Sequence, residues 1–138
     1  MISIWNGQSD LRPLAEAWAK EINIDADMDC AVEDLNSMLN DQDSDVIVLT
    51  DDGKVVGGMG ITVQNISHTR ELHSAVRYWY ILPRWRTWAK GLVGYAQQWS
   101  RDKGCKRMMI CESKYVPCGD FYKRMGFKVH ETVYIGDL

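Results

Sequence analysis

The chain has 138 residues, 46 % of them hydrophobic and 25 % charged, which describes one domain with room for a real core. No stretch is long and apolar enough to span a membrane and the N-terminus lacks a charged-then-apolar leader, so the expectation is a soluble, cytoplasmic protein. The net charge of −3 hides a segregation: 13 Asp or Glu against 2 Lys or Arg from Met1 to Gly53, then 6 against 14 from Lys54 onward. A basic half can attract a polyanion, an acidic half an amine, although two solvated faces that neutralise each other fit the same counts.

Ile2 to Trp5 reads as a short first strand, and Asn6-Gly7 as a turn. Ser9 or Asp10 caps a helix running to about Ile22, with Leu11, Leu14, Ala15 and Trp18 on its apolar stripe. Asp29 caps a second helix ending near Asn40. Val46–Leu49 is a compact strand, Asp51-Asp52-Gly53 a hairpin turn, and Val55–Gln64 its partner strand. Gly57, Gly58 and Gly60 weaken that strand unless another backbone or a ligand comes close. Glu71–Leu82 is the third arm of this meander.

Pro83 to Gly104 organises the rest. Arg84, Arg86 and Lys90 precede and open a helix pattern in which Trp88, Ala89, Leu92, Val93, Ala96 and Trp99 recur at three- and four-residue steps. A strand that passes through a basic turn into a helix leaves backbone N–H groups unpaired, and with the helix dipole and nearby guanidinium groups these form an anion site. Arg107–Cys111 follows as an apolar strand expected to lie centrally. A short helix, Pro117–Met125, ends at Gly126, and Phe127–Ile135 is expected to close the sheet. Cys30, Cys105, Cys111 and Cys118 form no Cys-x-x-Cys pair, so reduced, mostly buried thiols and no metal site are expected. The fold class is α/β (α+β), one domain over residues 1–138, with one parallel step across the central helix.

The Pro83 stretch resembles the cofactor-binding segment of the GCN5-related N-acetyltransferases, where a strand and a proline lead into Gln/Arg-x-x-Gly-x-Gly/Ala. Two registers fit: Arg84-x-x-Thr87-x-Ala89, favoured because it also aligns the apolar helix positions, and Arg86-x-x-Ala89-x-Gly91. Both lack the first glycine, and a Cβ there crowds a closely approaching diphosphate. Phe121-Tyr122-Lys123-Arg124-Met125-Gly126-Phe127 resembles the family's Leu/Phe-Tyr-x-x-x-Gly-Phe segment, at the right distance from the first motif. The family's frequent Asn seven residues before this Tyr is Tyr115 here.

The resemblance implies a mixed, mostly antiparallel sheet of six to seven strands with helices on both sides. It implies acetyl-CoA as co-substrate, no metal, and direct attack by a primary amine of a small molecule or peptide. Tyr122 matches the residue that protonates the departing thiolate; as a bare side chain it is equally a packing aromatic beside Phe121. Tyr80 and Ile81 match the strand whose backbone N–H bonds the acetyl carbonyl. Arg84, Arg86, Thr87, Trp88, Ala89, Lys90 and Gly91 cover the diphosphate loop in the two registers. Candidate bases are Glu71 and His73, on one face of their strand by alternation, and Glu112; each is otherwise a solvated edge residue. Exposed tryptophans would point to a homodimer.

A second reading is a protein of this fold that has lost catalysis and serves as a binding or structural subunit. The motifs are also similar to those of short acetyltransferase-like proteins of tailed bacteriophages. Nucleic-acid binding by the basic half lacks an aromatic-lined sheet and a motif.

Overall fold

The computed structural model describes residues 1–66 and 68–138. Five strands form one sheet in the order β1 (Ile2–Ile4), β2 (Ser44–Asp51), β3 (Lys54–Asn65), β4 (Leu72–Ile81) and β5 (Arg107–Met109). The first four are antiparallel neighbours, and β4 pairs β5 in parallel. The β2–β3 hairpin turns on Asp52 (φ 50°) and Gly53 (φ 74°). Left-handed conformation at both loop residues matches the right-handed twist of the strands they join.

Helices cover both faces. On one side lie α1 (Arg12–Glu21) and α2 (Met28–Leu39), on the other α3 (Ala89–Asp102) and α4 (Gly119–Arg124). Alternation along β2 sorts the core: Val46 and Val48 pack with Trp5, Leu11 and Met38, while Ile47 and Leu49 pack with Leu92, Val93, Ala96 and Trp99 of α3. Both faces of β2 are therefore buried, which is why its sequence reads as an unbroken apolar run. Two of the β3 glycines make room for helices, whereas Gly57 faces Ile81 of β4. A Cβ on Gly58 would sit 3.3 Å from Leu14 Cδ2, and one on Gly60 would sit 3.2 Å from Met38 Sδ. The close approach expected of a backbone or a ligand is made at Gly58 and Gly60 by side chains of α1 and α2.

Several expectations need correction. The sheet has five strands among the described residues, not six or seven. Phe127 packs on the core, but the chain beyond it forms no regular element, and Val133, Tyr134 and Ile135 are exposed. β5 is an edge strand, not a central one. Asp27, not Asp29, caps α2 by accepting from the Cys30 amide at 3.1 Å. Pro83–Trp88 is a 3-10 helix that precedes α3. All four cysteines are free thiols, but Cys30 and Cys111 are exposed. Among the described residues no helix is long and apolar enough to cross a membrane, and no group of three His, Cys, Asp or Glu can hold a metal ion.

Candidate active site

β4 and β5 pair over three residues only, His73–Ala75 against Arg107–Met109. Beyond Ala75 the two part, and β4 continues to Ile81 with an open edge. The parting coincides with a bulge. Tyr78 pairs Gly60 and Val76 pairs Ile61, so Arg77 is an extra residue that bends the strand away. Arg77 itself pairs with Asp34 of α2 at 3.2 Å. The gap is a cleft of about 440 Å³, walled by Trp79 and Ile81 on one side and by Cys111, Val116 and Tyr122 on the other.

The open edge offers backbone donors. The Leu82 amide donates to Val56 O at 2.9 Å, which sets the phase of the β3–β4 ladder. Tyr80 and Tyr78 then exchange their bonds with β3 through Gly58 and Gly60. The N–H groups of Trp79 and Ile81 point the other way, to the cleft. Of the two residues the sequence singles out, Ile81 presents its amide there and Tyr80 does not; Trp79 is the residue sequence reasoning missed. A β-bulge carries no sequence signature that would have re-phased the strand.

Tyr122 lies at the base of the cleft, 7 % exposed. Its hydroxyl donates to Cys111 O at 2.8 Å and accepts from Trp79 Nε1 at 2.9 Å, so it ties the two diverging arms together. Phe121, Phe127 and Trp79 pack around its ring. Burial pushes its hydroxyl well above the ordinary phenol range. Next to it, Cys118 begins α4, and its amide donates to Glu112 Oε2 at 2.6 Å. Glu112 thus lines the cleft while capping a helix.

At the mouth, Glu21 on the last turn of α1 accepts from both the Tyr80 hydroxyl and the Arg86 guanidinium. Arg86 also donates through Nε to Ile81 O at 3.1 Å and lies 5.6 Å from the centre of the Tyr80 ring. The Arg86 hydrogen bond, followed by that of Tyr80, holds the Glu21 carboxyl below its usual range despite partial burial. Burial and the Glu21 bond push the Tyr80 hydroxyl up to about 12. Glu21 had no sequence signal: its partners are 59 and 65 residues away.

The loop expected to hold a diphosphate is partly self-bonded. As a 3-10 helix it sends the Trp85 amide to Leu82 O and the Ala89 amide to Arg86 O. Arg84 lies against the Trp85 ring, whose Nε1 donates to Asp51. Arg84, Thr87, Trp88 and Lys90 are exposed, and neither Arg84 nor Lys90 forms an ion pair among the described residues. Ala89 lines the cleft. Gly91 lies inside α3, where a Cβ would sit 3.3 Å from Ile2 Cδ1, so it packs against β1. Trp88 is 50 % exposed and does not plug the cleft.

Glu71 and His73 are not brought to the cleft. His73 Nε2 lies 3.2 Å from Glu71 Oε2 in the region where β4 still pairs β5. At about 3.3 Å per residue they are some ~23 Å or more along the strand from Tyr80, too far to share a reacting atom.

The parallel neighbours β4 and β5 thus part around a bulge and leave a slot with backbone donors on one wall and a phenol at its base. The chain belongs to the acetyltransferase (GNAT) family, whose model matches residues 12–127. No curated protein matches the chain. Solved structures show the same fold across whole chains. A ribosomal-protein-alanine N-acetyltransferase from Brucella melitensis biovar Abortus 2308 has TM-score 0.78 at 17 % identity, covering 100 % of this chain and 99 % of that one. AAC(6')-Iy, in complex with the bisubstrate analogue CoA-S-monomethyl-acetylneamine, has TM-score 0.78 at 18 % identity, covering 100 % and 97 %. A transcriptional regulator from Bacillus halodurans C-125 has TM-score 0.81 at 17 % identity, covering 99 % and 100 %. At such identities the likeness is one of fold, and this chain's own chemistry rests on its residues.

Proposed function

We propose that the protein transfers the acetyl group of acetyl-CoA to a primary amine by direct attack within the β4–β5 cleft. The observation that carries this is the open edge of β4, with the Trp79 and Ile81 amides aimed into a slot that reaches Tyr122. When bound, acetyl-CoA supplies an activated acyl group. The chain's part is to hold and polarise it. The open edge of β4 would hold the pantetheine arm as it would an added strand. The Trp79 and Ile81 amides, about 6.6 Å apart as alternate residues of a strand, serve different groups: one would stabilise the negative charge that grows on the acetyl oxygen during attack, and the other would bond the arm. Arg84 and Lys90, with the start of α3, attract the phosphates at the mouth.

Tyr122 protonates the departing sulfur. Its proton must leave Cys111 O to do so, and the Trp79 indole N–H stays on the oxygen to stabilise the phenolate left behind. Glu71 and His73 take no part in this account. The amine enters past α1 and α2, the acidic half of the chain, which favours a cationic acceptor.

The second reading, a binding protein that has kept the fold, is favoured by one feature: the 3-10 helix spends amides that a glycine-bearing loop would offer to phosphate. Release of free thiol from acetyl-CoA across a panel of primary amines separates the two. Amine-dependent release supports the enzyme. Its absence with every amine, together with no acetyl-CoA binding, supports the binding protein.

A further inference from the structure

The cleft as built lacks a base. Glu71 and His73 are remote, and the Glu112 carboxylate holds the start of α4. Glu21 is the carboxylate at the mouth with a route inward, because it accepts from the hydroxyl of Tyr80 and Tyr80 lines the cleft. It is also oddly sited: a carboxylate in the last turn of α1 meets the negative end of the helix dipole. Arg86 offsets that, and Arg86 is one of the cations the cleft would turn to a phosphate.

The geometry points to an exchange of partners that rests on the acetyl-CoA reading above: phosphate draws Arg86 off Glu21, and the released Glu21, acting through the Tyr80 hydroxyl, takes the proton from the incoming amine. The pair suits such an exchange. The Arg86 and Glu21 side chains are 39 % and 29 % exposed, so their bond is weak enough for a multiply charged anion to displace. Glu21 is surrounded by Tyr80 of β4 and Arg86 of the 3-10 helix, with Cys118 of the α4 cap in its field across the cleft. Losing Arg86 returns its carboxyl toward the ordinary range, where it is a better base.

The protons balance. The ammonium gives one to Tyr80 oxygen as the Tyr80 proton passes to Glu21. The freed lone pair forms the C–N bond, the C–S bond breaks with its electrons on sulfur, and Tyr122 protonates the sulfur. The nitrogen sheds its second proton to restore Tyr122, and Glu21 returns the first to solvent. Before the co-substrate arrives the base is held silent, which orders the reaction.

The test is titration calorimetry with coenzyme A on the full chain, Glu21→Gln and Arg86→Gln. Partner exchange predicts that Glu21→Gln binds coenzyme A more tightly than the unaltered chain, by about two- to five-fold, while Arg86→Gln binds more weakly. Equal or weaker binding by Glu21→Gln overturns the exchange. An NMR titration of the Glu21 carboxyl in the unaltered chain needs no variant. Its pKa rises on saturation with coenzyme A if Arg86 leaves, and an unmoved titration overturns the proposal. No binding of coenzyme A by the unaltered chain overturns the acetyl-transfer reading itself, a different result from binding without exchange.

Discussion

Trp79 Nε1 donates to the Tyr122 hydroxyl at 2.9 Å, and this one bond joins β4 to α4 across the strands' parting. Tyr122 in turn donates its hydroxyl hydrogen bond to Cys111 O, so the two residues form a chain from one wall of the cleft to the other. The phenol is therefore both a structural tie and, in the proposed reaction, the proton source. Tyr122→Phe removes both bonds at once. We expect a loss of stability of about 1–3 kcal/mol, from the unpaired indole N–H and carbonyl, readable by urea denaturation. We expect transfer to fall by about 10²–10⁴-fold with coenzyme A affinity changed far less. A transfer rate like that of the unaltered chain would remove Tyr122 from the acid role.

Trp79→Phe keeps an aromatic ring beside Phe121 but deletes the indole N–H together with part of the ring system. It should lower transfer without removing it, because Tyr122 keeps its proton but loses the donor that steadies the phenolate. Single-turnover transfer rates at one pH check this: a rate equal to that of the unaltered chain would remove Trp79 from that role.

Arg84 and Lys90 act at the mouth through charge. Arg84→Ala with Lys90→Ala should weaken acetyl-CoA binding and reduce its dependence on salt, since screening acts on exposed charges. Titrations at low and high salt measure it. An unchanged salt dependence would place the phosphates elsewhere.

The Glu21–Arg86 pair makes a pH prediction. Glu21 titrates below its unfolded value because Arg86 stabilises its charge. That stability is present above the unfolded carboxyl pKa and is lost as pH falls through the lower folded pKa. The unaltered chain and Glu21→Gln should thus differ in melting temperature near neutral pH and converge in acid. Partial exposure keeps the neutral-pH difference to at most about 1 kcal/mol.

Core and tail should respond oppositely. Ile47 of β2 is fully buried against α3, and Ile47→Ala should cost about 2–5 kcal/mol. Removing residues 129–138, which lie exposed, should barely move the melting temperature.

Much of the fold was legible because local signals agreed with the tertiary outcome. Asp51-Asp52-Gly53 marked the hairpin, the Val46–Leu49 run marked a strand, and the Leu92-to-Trp99 spacing marked α3. Where local signals are ambiguous, reading failed. Arg84–Trp88 has the spacing of any helix, and α and 3-10 turns differ in hydrogen bonding rather than in residue type. Val129–Ile135 has strand propensity, but propensity without a partner edge does not offset backbone entropy. The site was half legible. Tyr122 lies in a local motif, whereas Glu21 and the cleft-facing amide of Trp79 depend on a bulge and on contacts between distant segments.

Whether the gap between β4 and β5 takes acetyl-CoA is read from a calorimetric titration of the full chain. One-site binding with a dissociation constant of about 1 μM–1 mM is expected, matched by a rise in melting temperature with ligand concentration. No heat of binding and no thermal shift at saturating acetyl-CoA would contradict it.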